Sequence, residues 1–277
     1  MSGWRPVIFD CEGSSLAAVL HEPERAARTG VVVIVGGPQY RVGSHRQFVL
    51  LARQLAAAGF PCLRFDCRGM GDSEGAFRGF EHIHADTRAA IDALIAISPS
   101  ITRVVLWGLC DAASAALLYA ASDQRVTGLI IANPWVRSPH SEARARVRHY
   151  YLRRLMSGEF WRKVFSGRLR LRESAAGLGA TLATRAESGA PPFVQGMLRG
   201  AQAFRGRLLL ITSGEDLTAA EFLDRVKTSA EWQAVLARTG NARSPLADAT
   251  HTFSSAAWRN AVENASIAWV RECNDAS

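Results

Sequence analysis

No apolar run in this chain approaches the ~20 residues that a membrane-spanning helix needs, so the sequence gives no expectation of a transmembrane segment. The opening stretch, MSGWRPVIFDCEGSSLAAVLHEPE, lacks the continuous apolar core of a secretory leader. The expectation is a soluble, cytoplasmic protein. Cys-x-x-Cys does not occur. The five cysteines (Cys11, Cys62, Cys67, Cys110 and Cys273) are odd in number and irregular in spacing, which argues against a disulfide framework and against a zinc site. Reduced thiols are expected, with no metal and no cofactor. Internal repeats and low-complexity tracts are also missing.

What is present is a chain of 277 residues, 48% apolar, long enough for one large α/β domain with a sizeable core. The net charge of +8 is uneven. Residues 137–205 hold 14 Arg or Lys against four Glu and no Asp, while the remainder holds 19 basic against 21 acidic residues. The basicity therefore belongs to one segment. A solvated arginine-rich face, an anion-binding lid and a surface facing acidic lipid all fit such a segment. No nucleic-acid reading motif accompanies the charge, so nucleic acid is not an expected partner.

Apolar runs follow the strand–helix rhythm of a mostly parallel sheet. GVVVIVGG (30–37) reads as a buried central strand. SHRQFVLLARQLAAAGF reads as a helix with Gly59 at its C-terminal cap. PCLRFDCRG, RVVLWGLC, VTGLIIANPW and RLLLITSGED read as further strands, and FEHIHADTRAAIDALIAI, DAASAALLYAAS and SAAWRNAVENASIAWVREC as helices. At the N-terminus, two short antiparallel strands are expected around a Glu-Gly turn. The rhythm breaks at residues 137–205, which read as a helical insertion; residues 1–136 and 206–277 would form the core.

Gly108-Leu109-Cys110-Asp111-Ala112 falls on the turn between a strand and a helix and fits G-x-S-x-G, with Cys for Ser and Ala for the last Gly. That motif sets the nucleophile in a strained backbone conformation, so both flanking positions must be small. The helix N-terminus that follows favours a thiolate and a developing oxyanion. An acid and a histidine follow in the expected chain order. Asp216 lies just past the LLLITSG strand, and His251 lies in ADATHTF, shortly before the last helix. A lone loop histidine is ordinarily a surface residue; position and order point here to catalysis. Glu215 stays open as the acid in place of Asp216, with Asp224 and Asp248 weaker candidates. Oxyanion donors should be the backbone N–H of Asp111 and an N–H of the VGGPQYR loop. Pro38 has none, so Gly37 or Gln39 must supply it. Tyr40 and Arg41 either face the pocket mouth or are solvated.

At these residues the chain resembles the α/β-hydrolase superfamily, through VGGP, FDCRGMGDSEG, GLCDAA with SGED, and ATHTF, in that order. More narrowly, GGPQYRVGSHRQF, RFDCRGMGDSEG and GLCDAAS resemble the type-one hydrolases associated with bacterial exosortase A systems, which accompany exopolysaccharide clusters. A cysteine triad is similar to that of dienelactone hydrolases. The resemblance implies an α/β-hydrolase fold: a mostly parallel central sheet with helices on both faces and a basic helical cap over the pocket. Two positions depart from the pattern: Val35 stands where a histidine usually precedes the oxyanion glycines, and the nucleophile is cysteine.

The expected chemistry is acyl transfer from an ester or thioester, a saccharide-linked substrate among those that fit, through an acyl-enzyme on Cys110 with His251 as base and Asp216 as its orienting acid. One detail opposes it: the Asp111 carboxylate stands beside the thiol and disfavours the thiolate. The alternative is a non-catalytic scaffold that binds a glycan, lipid or protein partner through the basic segment, where peripheral membrane contact would also fall. The oligomeric state stays open.

Overall fold

Glu12 and Gly13 both adopt positive φ, 52° and 79°, and reverse the chain between two nine-residue strands. Strands β1 (Gly3–Cys11) and β2 (Ser14–Glu22) pair antiparallel in the register Gly3↔Glu22 to Cys11↔Ser14. They form one edge of an eight-stranded sheet of order β1-β2-β4-β3-β5-β6-β7-β8. Every pair beyond β2/β4 is parallel. The computed structural model describes residues 3–37, 39–137 and 191–275.

The parallel strands are those the apolar runs predict. In β3 (Thr29–Ile34) all six residues are buried. β4 (Cys62–Phe65), β5 (Arg103–Leu109), β6 (Val126–Ala132) and β7 (Arg207–Glu215) are buried nearly throughout. Strands covered on both faces by helices read as continuous Val/Ile/Leu runs for this reason. Each buried aliphatic side chain contributes about 1.5–3 kcal/mol relative to exposure.

Helix α1 (Gln47–Ala57) buries Phe48, Leu51, Ala52 and Leu55, a stripe at i, i+3, i+4 and i+7. Phe48 packs edge-on against Trp107 of β5, 5.6 Å between ring centres. Gly59, at φ 99°, ends α1 as expected, and Phe60 N–H returns to Leu55 O at 2.9 Å. Helices α2 (His84–Ile97) and α3 (Asp111–Tyr119) follow β4 and β5. Helix α4 (Pro192–Ala203) starts inside the stretch expected to be the insertion. From Phe193 onward it belongs to the same compact unit as residues 1–136. A Cβ on Gly200 would collide with Leu117 O of α3, so the two helices touch through glycine. The rest of the expected insertion, 138–190, lies outside the described residues, as does Pro38.

Helices α5 (Leu217–Thr228) and α6 (Ala230–Leu236) precede the last strand, β8 (Ala242–Thr250), and helix α7 (Ala256–Asp275) closes the described chain. Trp107 Nε1–H donates to Ser266 Oγ at 3.2 Å and ties α7 to the sheet. Among the described residues no helix is long and apolar enough to cross a membrane.

Candidate active site

The turn after β5 is strained where the motif predicts. Cys110 has φ 61° and ψ −123°, and α3 begins at the next residue. A Cβ on Gly108 would lie 2.5 Å from Ala112 O, so any side chain there would push the first turn of α3 away from the strand. Cys110 N–H donates to Ala132 O at 2.9 Å, and Cys110 O accepts from Ala113 N at 3.1 Å and from Trp135 N at 3.1 Å. Ser114 Oγ donates to Trp135 O at 2.6 Å. The strain, a cost of about 1–3 kcal/mol for such a backbone, is thus held by bonds on both sides of the turn.

His251 follows β8. Its Nδ1 lies 2.8 Å from Asp216 Oδ2, which leaves Nε2 free of that bond. Asp216 is buried at the end of β7 and caps α5, accepting from Thr218 N at 3.2 Å and Ala219 N at 3.1 Å. These bonds fix the carboxylate before histidine arrives. Glu215 is exposed, and Asp248 is exposed on β8, so of the acids weighed it is Asp216 that meets His251. Asp224 lies on α5, where Lys227 Nζ is 3.5 Å from it.

Burial lowers the basicity of His251, but the bonds and charges of Asp216 and Cys110 outweigh it and push its pKa up to about 10.

One residue that no motif announced completes the frame. Asn133, fully buried at the end of β6 with φ 44°, donates from Nδ2 to Ser213 Oγ at 2.8 Å and to His251 O at 3.2 Å. Its Oδ1 accepts from Ser213 N at 2.8 Å. Ser213 Oγ donates in turn to Thr250 O at 3.0 Å. Asn133 thereby joins the strand that carries the acid to the loop that carries the histidine. The β7/β8 register shifts between Ser213 and Glu215, and Gly214 lets Ala247 O approach where a side chain would not fit. The one sequence signal for Asn133 was a buried-strand end, IIANPW, closed by an amide that tolerates positive φ.

The expected oxyanion donors require a correction. Gly37 N–H donates to Asp111 Oδ2 at 2.7 Å, and Ala112 N–H to Asp111 Oδ1 at 2.9 Å. Gly37, one of the expected donors, thus faces the Asp111 side chain rather than an open pocket. Gly36 has to be glycine for this, because its Cβ would collide with Asp111 Oδ1. Burial raises the Asp111 pKa, against the pull of the Gly37 and Ala112 N–H groups and of His251. Gln39, the other donor weighed, has a buried Oε1 without a partner.

Arg41 is mostly buried and held by two carboxylates. Its backbone N–H donates to Asp66 Oδ1 at 2.6 Å, and its guanidinium binds Asp66 and, at 2.6 Å, Asp72. It therefore fastens the β3–α1 connection to the loop after β4. Tyr40 is half-exposed, and the Arg41 guanidinium lies 6.0 Å from its ring centre.

A mostly parallel eight-stranded sheet, with a strained nucleophile turn between a central strand and its helix, is the architecture of the α/β hydrolases, and this chain has that fold. Residues 26–162, just under half of the chain, match the family "Serine aminopeptidase, S33". The chain is 34% identical over 137 residues to the quorum-quenching protein AidA of Acinetobacter baumannii, an alignment covering 47% of this chain and 43% of that protein. The chain thus spans less than half the length of this curated relative. An esterase of Pyrococcus furiosus superposes with a TM-score of 0.68 at 15% identity, covering 99% of this chain and 93% of that one. Dienelactone hydrolase from Anabaena variabilis superposes with a TM-score of 0.63 at 14% identity, covering 98% of each. At these identities the superpositions speak for the fold.

Proposed function

We propose that the protein is a hydrolase of ester or thioester bonds in which Cys110 is the nucleophile, His251 the general base and then acid, and Asp216 the group that orients and charges His251. The observation that carries this reading is the 2.8 Å bond between His251 Nδ1 and Asp216 Oδ2, beside a Cys110 held on the strained turn and close enough to act on the His251 charge. The thiol proton passes to His251 Nε2, and the sulfur attacks the carbonyl carbon as the C=O π pair moves onto oxygen. Collapse of that adduct expels the alcohol or thiol, which takes the proton from His251. Water then attacks the thioester with His251 again as base, and cleavage of the C–S bond releases the acid and restores the thiol.

A thiolate is itself a good leaving group, so partition at the adduct favours activated acyl donors, thioesters and lactones among them, over amides. The finer assignment to exosortase-associated hydrolases and exopolysaccharide metabolism, with a saccharide-linked substrate, rests on the motif resemblance at residues 36–135. The reading of residues 137–205 as a basic insertion rests on the charge asymmetry of the sequence.

The test compares wild type with Cys110→Ala on short acyl-thioesters and p-nitrophenyl esters. Turnover by the wild type and none above background by the variant is expected. Equal rates would overturn the reading and leave the scaffold alternative. Iodoacetamide should alkylate Cys110 ahead of Cys273, the other thiol that is not fully buried.

A further inference from the structure

We propose that Asp111 is an internal occupant of the oxyanion hole, a specificity-determining residue that a developing oxyanion must displace. This rests on the acyl-transfer reading above and deepens it. Two backbone N–H groups converge on the Asp111 carboxylate: Gly37 at 2.7 Å and Ala112 at 2.9 Å. The first of them is a donor on which an oxyanion at Cys110 would depend. Gly36 gives up its Cβ space to Asp111 Oδ1, and Gly37 takes φ 62° to aim its N–H at Oδ2. The backbone is therefore shaped around the carboxylate.

The consequence is a competition between two oxygen anions for one set of N–H groups. A tetrahedral oxyanion gains the donors only as Asp111 leaves them, and the carboxylate charge also repels it. Unactivated esters, whose adducts are least stable, lose most by this. Acyl donors that are already strongly electrophilic lose least. The carboxylate does not block reactions of the sulfur that form no oxyanion. Alkylation of Cys110 by iodoacetamide is such a reaction: the sulfur displaces iodide at carbon and no carbonyl oxygen gains charge.

That difference gives the test. On the full chain, iodoacetamide alkylation of Cys110 is compared with inhibition by hexanal, which adds to the thiol as a thiohemiacetal whose oxygen takes the oxyanion position. The variants are Asp111→Ala, which clears the donors, and Asp111→Asn, which removes the charge, keeps the shape and keeps an acceptor for Gly37 N–H. Hexanal should bind Asp111→Ala on the order of tenfold or more tighter than wild type, beyond any change in alkylation rate, given that one freed donor is worth about 10²–10³ in rate. Asp111→Asn, which keeps the fold if the alanine variant does not, should fall between the two. Hexanal affinity that moves only in step with alkylation would overturn the proposal, since Asp111 would then act by charge alone. Weaker hexanal binding in both variants would also overturn it, because the carboxyl would be a donor to the oxyanion. Should Cys110 alkylate no faster than Cys273 and hexanal protect no thiol in wild type, it is the nucleophile reading that fails.

Discussion

In the loop after β4, Arg68 is buried against Asp86 and reaches Glu12 at 2.5 Å, while Arg41 lies between Asp66 and Asp72. Along the same edge of the sheet, after β5 and β7, Asp111 and Asp216 instead take backbone N–H groups and, for Asp216, the His251 imidazole as partners. The first cluster matches each buried carboxylate with a planar cation and with backbone N–H groups, such as Asp72 N on Asp66 at 3.1 Å and Arg68 N on Asp86 at 2.8 Å. Its cations are guanidiniums, which keep their protons at neutral pH. The second leaves negative charge in excess and lets a single histidine answer it. Buried charge becomes structure where its partner is arginine, and chemistry where its partner is a group that titrates.

Four measurements would break or sharpen that contrast. His251→Ala should cut turnover of activated esters by about 10²–10⁴, the usual worth of a positioned acid–base group; a loss below threefold would remove histidine from the chemistry. Asp86→Ala strips Arg68 of its buried partner and should cost about 3–5 kcal/mol in urea denaturation, while alkylation of Cys110 in the folded variant stays as in wild type. A stability loss below 1 kcal/mol would mean that Glu12 alone suffices for Arg68. Asn133→Ala belongs to both clusters' logic, being structural in its bonds and catalytic in what it aligns. It should cost about 1–3 kcal/mol through the unpaired Ser213 N–H and lower kcat more than it alters KM.

The smallest effect concerns pH. His251 has a folded-state pKa of about 10 against the ordinary 6.5. Its contribution to stability is therefore complete below about pH 6.5 and is lost as the pH rises through about 10. Melting temperature should fall for wild type relative to His251→Gln between pH 7 and pH 10. Parallel curves would show that the histidine does not gain its proton from folding.

The sheet was largely legible because its parallel strands are buried on both faces and so advertise themselves as apolar runs. β8 was not. ARSPLADAT lies at the sheet edge with most residues at least partly exposed, and its pairing to β7 leaves no periodic apolar mark. Helices α5 and α6 carried signals in their caps, Asp216 and Ser229, which accept from Thr218 N, Ala219 N and Trp232 N. In Asp216 that capping role was hidden behind its expected meeting with His251. The residues of the site could be ordered along the chain, and Asp216 does meet His251. What no spacing conveys is the direction of a side chain. The turn of Asp111 onto Gly37 depends on the missing Cβ of Gly36, fixed by tertiary approach over 74 residues. Arg41 likewise finds Asp66 and Asp72 only because β3 and β4 are neighbours in the sheet.

The backbone of Cys110, at φ 61° and ψ −123°, is one that glycine would adopt with little cost and any other residue resists. Relaxing it would return about 1–3 kcal/mol to the folded state. A selection of variants for heat resistance alone would therefore accept glycine at this position, and in doing so would discard the thiol. Laboratory evolution of this protein toward durability needs an activity screen at every round, because the turn that presents the sulfur is also a place where the fold gains from losing it.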